Sequence, residues 1–264
     1  MLTEVNAHLK VMGLSLKYNI MKYMINKVSF ITNIIFMMLN NSTFIIQWLI
    51  LFNLREEIGN YSFTDVTLLW ALSASIYGFS HILFERAYKL SDLIIDGKLD
   101  SFLVQPKNIL ISVLMSDTSI SAIGDLLYGY VILCIFNFSI TNIILFTIFT
   151  ITGGLVITSV AVIFGSLSFW IVKSDYIAGT INNMMTNFST YPEGIFKGLA
   201  RIILYTLIPV GISTYLPMSV FMKFNVINIL LVIIITIVMI LFSFLVFNRG
   251  LKRYSSSNLM SAKM

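Results

Sequence analysis

Charge is scarce in this chain: Lys, Arg, Asp and Glu make up 11% of its 264 residues, while 58% are hydrophobic. A soluble globular domain carries about 25% charged residues, so that class is excluded. Cysteine is reduced to Cys134 alone, which rules out a disulfide framework and a paired-cysteine metal or redox centre. Lying within an apolar run, Cys134 reads as a buried bystander. Histidine is limited to His8 and His81. Neither has partners at metal-ligand spacing, and no Ser/His/Asp arrangement is visible, so no catalytic residue, metal site or cofactor is expected here. A compact apolar signal core is missing too: Lys10, Lys17, Lys22 and Lys27 are scattered through the first 27 residues, unlike a cleaved leader.

What is present is apolar length. Mean hydropathy is +0.90, which marks an integral membrane protein, and 264 residues accommodate roughly six spans of about 20 residues each. The expected fold is all-α, a polytopic bundle forming one membrane domain over residues 1–264. Over 5–26, Leu9, Met12, Leu16, Ile20 and Tyr23 recur three or four apart with Lys10, Lys17 and Lys22 off that stripe, the pattern of an amphipathic helix at the membrane surface. Spans follow at 28–54, where Asn33, Asn40, Asn41 and Gln47 point to helix contacts, and at about 64–84, where Ala74 and Gly78 permit close approach. Further spans are expected near 119–138, 143–172 and from Tyr176 to the Tyr191-Pro192-Glu193-Gly194 break, with the last at 225–247. The turn at Thr141 and Asn142 is tight enough for an antiparallel hairpin, and Lys173, Ser174 and Asp175 mark the next turn.

Residues 198–222 are long enough to cross but contain Pro209, Gly211 and Pro217. Six spans with the amino terminus inside place 13 of the 17 basic residues in the cytoplasm and only Arg55, Lys197, Arg201 and Lys223 outside, as the positive-inside rule requires. A seventh span would send Arg249, Lys252 and Arg253 outside. The region 191–222 is therefore read as a re-entrant or surface helical hairpin on the outer side, in a plasma-membrane protein with both termini cytoplasmic. The net charge of +5 follows from this orientation, and no nucleic-acid partner is expected.

One polar stretch, 86–117, interrupts the apolar chain with Arg86, Lys89, Asp92, Asp96, Lys98, Asp100, Lys107 and Asp117. Asp92, Asp96 and Asp100 recur every four residues, beside Leu99, Phe102 and Leu103 at i, i+3 and i+4, so a helix there carries an acidic stripe next to an apolar one. Gly97 can end or bend it and Pro106 is a stop. The stretch reads either as a solvated loop or as a docking helix for a soluble partner. A phosphate cradle is excluded, because the position five residues before Gly97 is Asp92 and not glycine. His81 and Glu85, four apart, read as an interfacial pair or a proton relay. Asp125, just inside a span, must be paired or hydrated.

The run IIDGKLDSFLVQP at 94–106, Gly124-Asp125, YPEGIF at 191–196, Ile208-Pro209 and YLP at 215–217 together resemble the permease subunit of bacterial ABC-2 type exporters. The landmarks lie in order from about residue 10 to 250. The resemblance implies a coupling helix between the second and third spans, comprising Asp92, Leu93, Ile94, Asp96, Gly97, Lys98, Leu99, Asp100 and Phe102. It also implies outer-side helices before the last span, with Asp125, Tyr191, Pro209, Tyr215 and Pro217 as pathway or gate candidates. By the same resemblance the chain pairs with a second permease, identical or homologous, and with two cytoplasmic ATPase subunits that hold ATP and Mg. Two other readings stay open on the residues alone: an ion-gradient-driven secondary transporter, and a non-transporting membrane assembly or immunity protein.

Overall fold

Polar caps open most of the long apolar helices. Asn26 accepts from the Ser29 backbone N–H at 3.1 Å to start α2 (Lys27–Phe52). Ser62 and Asp65 form a reciprocal capping box for α3 (Phe63–Phe84), and Asn225 caps the final helix, Val226–Leu251. Such caps satisfy N–H groups that water cannot reach near the bilayer. The computed structural model describes residues 2–105, 107–171 and 174–255. Pro106, Lys173 and Lys263, and the side chain of His8, on which the expectations above partly rested, lie outside the described residues.

The regular elements of the described residues are all helices, without a named strand. α1 (Leu2–Met24) precedes α2. It half-buries Leu16 and Ile20 of its expected apolar stripe but exposes Tyr23 by 40%. Its Ser15 hydroxyl donates to the Met115 carbonyl at 2.6 Å, so the leading helix is tied to the end of the polar stretch. Beyond α3 the chain continues through a 3-10 turn, Glu85–Lys89, into α4 (Leu90–Ile95), making one run of 33 residues from Phe63 to Ile95. Short helices α5 (Asp100–Leu103) and α6 (Ile109–Leu114) complete the polar stretch. Then come α7 (Ser121–Phe136), α8 (Ile140–Gly165), α9 (Asp175–Ser189), α10 (Leu199–Thr206), α11 (Leu216–Met222) and α12 (Val226–Leu251).

Four described helical runs are long and apolar enough to cross a membrane: α2, α3 with its extension, Ile140–Phe169 and α12. A fifth is added if α10 and Gly211–Met222, bent by 81°, count as one span. α7 has 16 residues, about 24 Å at 1.5 Å per residue, short of a hydrocarbon core about 30 Å thick. α9, where a fifth apolar span was expected, has 15 residues and the sequence DYIAGTINNMMTNFS; its Asn and Thr residues make it amphipathic. α3 and α8 are central, with 72% and 61% of their most apolar windows buried, whereas α2 and α12 are peripheral at 11% and 17%. On α12 the exposed Leu230, Ile234, Ile237, Leu241 and Leu245 form the outward face expected of a helix against lipid.

The tightest seam is between α3 and α7. A Cβ added at Gly78 would stand 2.6 Å from the Leu126 nitrogen and 2.8 Å from the Ala122 carbonyl oxygen, and one at Gly129 would collide with Ser75 Oγ and the Ala71 carbonyl. These are small-residue contacts of the kind that replace hydrophobic driving force inside a bilayer. The opposite face of α7 exposes Leu127, Val131 and Ile135. Cys134 shares that face and is a free, exposed thiol. The expectation that it is buried is thus corrected: α7 uses its other side to meet α2 and α3.

The core has two parts. The larger lies among the crossing helices and includes Leu69, Leu72, Ile76, Phe146, Phe149 and Tyr215. The smaller sits under the polar stretch and includes Leu90, Leu93, Ile94, Leu99, Leu110, Val113, Phe169 and Phe247. Gly78→Val and Gly129→Val should each cost about 1–3 kcal/mol through overpacking, read as a lower thermal midpoint of the purified protein. Gly13→Ala, with open space around Gly13 in the interior of α1, should not lower the midpoint and should raise it slightly, since alanine is the better helix former.

Candidate functional site

α2, α3, the start of α7 and the end of α9 enclose a cleft of about 550 Å³. α2 supplies Met37, Asn40, Asn41 and Phe44; α3 supplies Trp70, Ser73, Ala74, Tyr77 and His81, with Glu85 just beyond. Ser119, Ser121, Ala122 and Asp125 line it from the α7 side, and Thr186, Asn187, Thr190 and Tyr191 from the α9 side. α9 adds Thr186 and Asn187 to the polar groups that α2, α3 and the α7 side already supply. This concentration of hydrogen-bonding groups among lipid-crossing helices is what a solute path needs.

Asp125 is 8% exposed, and Asn41, at 6%, donates to its Oδ1 at 2.6 Å. The Tyr128 hydroxyl donates to the Asn41 carbonyl at 3.3 Å, so α2 and α7 are joined at this level. Among the described residues Asn41 is the one hydrogen-bond donor to the carboxylate. Toward the polar stretch, Glu85 meets His81 Nδ1 at 2.6 Å and Lys89 Nζ at 2.8 Å. The His81 ring stacks on Tyr88 with centroids 3.9 Å apart. Trp70, stacked on Phe44 with ring centroids 4.2 Å apart, has an indole N–H with no acceptor, while the Tyr77 hydroxyl faces Thr186 and Ser189 of α9.

The gate candidates separate. Tyr191 lines the cleft and meets Trp48 edge-on, with ring centroids 6.0 Å apart. Tyr215 is fully buried instead, its hydroxyl donating to the Phe188 carbonyl at 2.6 Å. It belongs to a wide π-type turn, Gly211–Tyr215, which caps the open end of α9. Pro209 begins that bend and Pro217 occupies the first turn of α11, where a missing N–H costs nothing. At the adjoining end of the bundle Glu193 accepts from Arg201 Nη2 at 2.7 Å and from the Tyr205 hydroxyl at 2.9 Å.

The coupling candidates also divide. α4 ends in a Schellman closure: Gly97, at φ 70°, donates to the Ile94 carbonyl and Lys98 to the Leu93 carbonyl, at 3.3 and 2.9 Å. This turn folds Leu99 under the stretch, so Leu93, Ile94 and Leu99 are buried in the chain's own smaller core and Phe102 packs against it. The apolar stripe expected to face a partner is therefore largely internal. Facing outward are Asp92, Asp96, Lys98 and Asp100, with Asp96 and Lys98 paired at 2.6 Å. The exposed apolar tip is Leu103 at 42% and Val104 at 84%. Tyr254, after α12, is set against Asp100; burial first, and then the Asp100 carboxylate, raise its phenol to about 12.

The sequence did not single out Trp70, Tyr77, Thr186 or Asn187. The signal for the last two was the Asn and Thr row at 180–190, which hydropathy alone reads as a weak span.

These features define a polytopic helical membrane protein built around an open polar cleft. Residues 36–258 match the family described as ABC-2 family transporter protein, and the chain belongs to that family, as a transmembrane permease. No curated protein and no solved structure matches it.

Asn41→Leu leaves the Asp125 carboxylate without its donor and should lower the thermal midpoint, whereas Asp125→Asn keeps an amide pair and should lower it less. A double-mutant cycle on the two positions should return a coupling of about 1–2 kcal/mol.

Proposed function

We propose that this chain is the transmembrane subunit of an ATP-driven exporter, and that the polar stretch is the foot on which a separate cytoplasmic ATPase acts. In this reading six segments cross, α2, α3, α7, α8, α9 and α12, with both termini in the cytoplasm of a plasma-membrane protein. α10 and α11 form the outer-side hairpin. The carrying observation is the run from Phe63 to Ile95, which holds Trp70, Tyr77 and His81 in the cleft wall and Asp92 in the foot. Force on the foot reaches the cleft without crossing a loop.

Two ATPase subunits would hold ATP and Mg and dock on the foot through Asp92, Asp96, Lys98 and the Val104 tip. Leu93, Ile94 and Leu99 would set its shape from within. A second permease, this chain or a homologue, would face the open side of the cleft and complete the path. Tyr191, beside Trp48, would close the cleft toward the outside, and Pro209, Tyr215 and Pro217 would hold the bend behind it. Buried hydroxyls give the foot a second route inward: Ser168 joins Ser91 of α4 at 2.8 Å and Ser174, at the start of α9, at 2.6 Å. Closure of the ATPase pair would thus shift α3 and α9, the two walls of the cleft, together.

The test is purification of the full chain from its native membrane and assay of the recovered complex. An ATPase subunit should copurify, and ATP-driven transport should fall about tenfold or more in Asp92→Arg/Asp96→Arg, the loss expected when a docking charge pair worth about 1.4 kcal/mol or more is reversed. Membrane insertion should be unchanged. Transport that runs on a proton gradient with no ATPase bound, or full coupling in the double variant, would overturn the assignment.

A further inference from the structure

The chemistry of the cleft selects the charge of what enters it. Among the described residues no Lys or Arg side chain lines it, while two carboxylates, Asp125 and Glu85, do. Glu85 is already neutralised by Lys89 at 2.8 Å. Asp125 is not: its contact is the neutral amide of Asn41, and a carboxylate with one neutral donor in a low-dielectric surrounding attracts a cation strongly. The same cavity carries aromatic residues, Phe44 and Trp70 in a stack and Tyr77 nearby. Their faces bear the negative side of the ring quadrupole. Trp70 lines the cavity while only 7% exposed, so its ring is held in place by the packing around it.

We propose that this cleft binds an organic cation, its positive centre at Asp125 and its apolar body against Trp70, Phe44 and Tyr77. This deepens the exporter reading and rests on it for direction of transport, but the binding itself belongs to this chain. The volume of about 550 Å³ suits a ligand of drug-like size. A polyanionic cargo has no counter-charge in the cleft and would meet the Asp125 carboxylate instead.

Full-length protein in lipid nanodiscs, with whatever ATPase accompanies it, is titrated with tetraphenylphosphonium and with tetraphenylborate, an anion of matching size and shape, against empty nanodiscs. The phosphonium should bind saturably and the borate should not. Asp125→Asn should weaken phosphonium binding about tenfold and Trp70→Leu about threefold to tenfold, from loss of the charge and of a cation–π face. Equal binding of both ions, no saturable phosphonium binding to the folded wild type, or binding that survives Asp125→Asn would overturn the proposal. If Asp125→Asn does not fold, discrimination between the two ions by the wild type and by Trp70→Leu decides it. Failure of the ATPase to copurify would instead strike the exporter reading and leave the ion titration to be judged separately.

Discussion

Close packing of α3 against α7 is the constraint from which the rest follows. In lipid, apolar side chains gain nothing by leaving the solvent, so helices are held by contact density and hydrogen bonds. Gly78 and Gly129 let the α7 backbone approach α3 to a distance that no side chain permits. That approach fixes Ser75 Oγ over the Leu126 carbonyl at 3.3 Å and brings Asp125, one residue earlier, to the mouth of the cleft. A looser seam would let α7 rotate and carry Asp125 away from Asn41. The cleft is therefore a by-product of two glycines on helices that also contain much bulkier residues.

The cost of a polar cavity is contained by local pairing. Ser73 donates to the Ser189 carbonyl at 2.7 Å, and Tyr215 donates to the Phe188 carbonyl at 2.6 Å. The first closes a carbonyl at the end of α9 that has no helical successor; the second adds to the Thr190 and Tyr191 backbone N–H groups that already reach the Phe188 carbonyl. This explains how α9 can stop inside the protein and how the wide Gly211–Tyr215 turn is tolerated beside it: irregular backbone survives at depth where protein covers it. The Trp70 indole N–H, which escapes pairing, stands out against that background.

Hydropathy and charge carried much of the fold. Asn26, Ser62 and Asn225 opened helices close to the expected starts, and the long apolar runs became α2, α8 and α12. Asp125, Tyr191, His81 and Glu85, picked out separately, line one cleft. What periodicity does not encode is which neighbour covers a face. Leu99 looked like part of an exposed stripe, yet the left-handed turn at Gly97 folds it inward. Cys134 sits in an apolar run, yet that run faces away from the bundle. Tyr215, a gate candidate by the family resemblance, is buried with its hydroxyl donating to the Phe188 carbonyl of α9, a contact that no local pattern announces. α9 was expected as a span by position, and hydropathy says nothing of the cleft that two of its polar side chains, Thr186 and Asn187, help to line.

The division of the apolar core supplies the last step. Leu90, Ile94, Leu99 and Phe247 form a unit distinct from the cluster around Leu72 and Phe146, and each buried Leu or Ile is worth about 1.5–3 kcal/mol where water is the alternative. In the proposed mechanism the smaller unit would therefore move as one body. Between the two lies a seam of hydroxyls, Ser80 bonded to Thr158 at 2.6 Å and to Tyr88 at 2.7 Å. Interlocked apolar side chains resist sliding because every contact is lost at once. A hydroxyl seam can exchange one partner for another at small cost, since each group both donates and accepts. In the proposed mechanism this level, beside His81 on α3, is where a small rotation of the smaller core would alter the width of the cleft most directly.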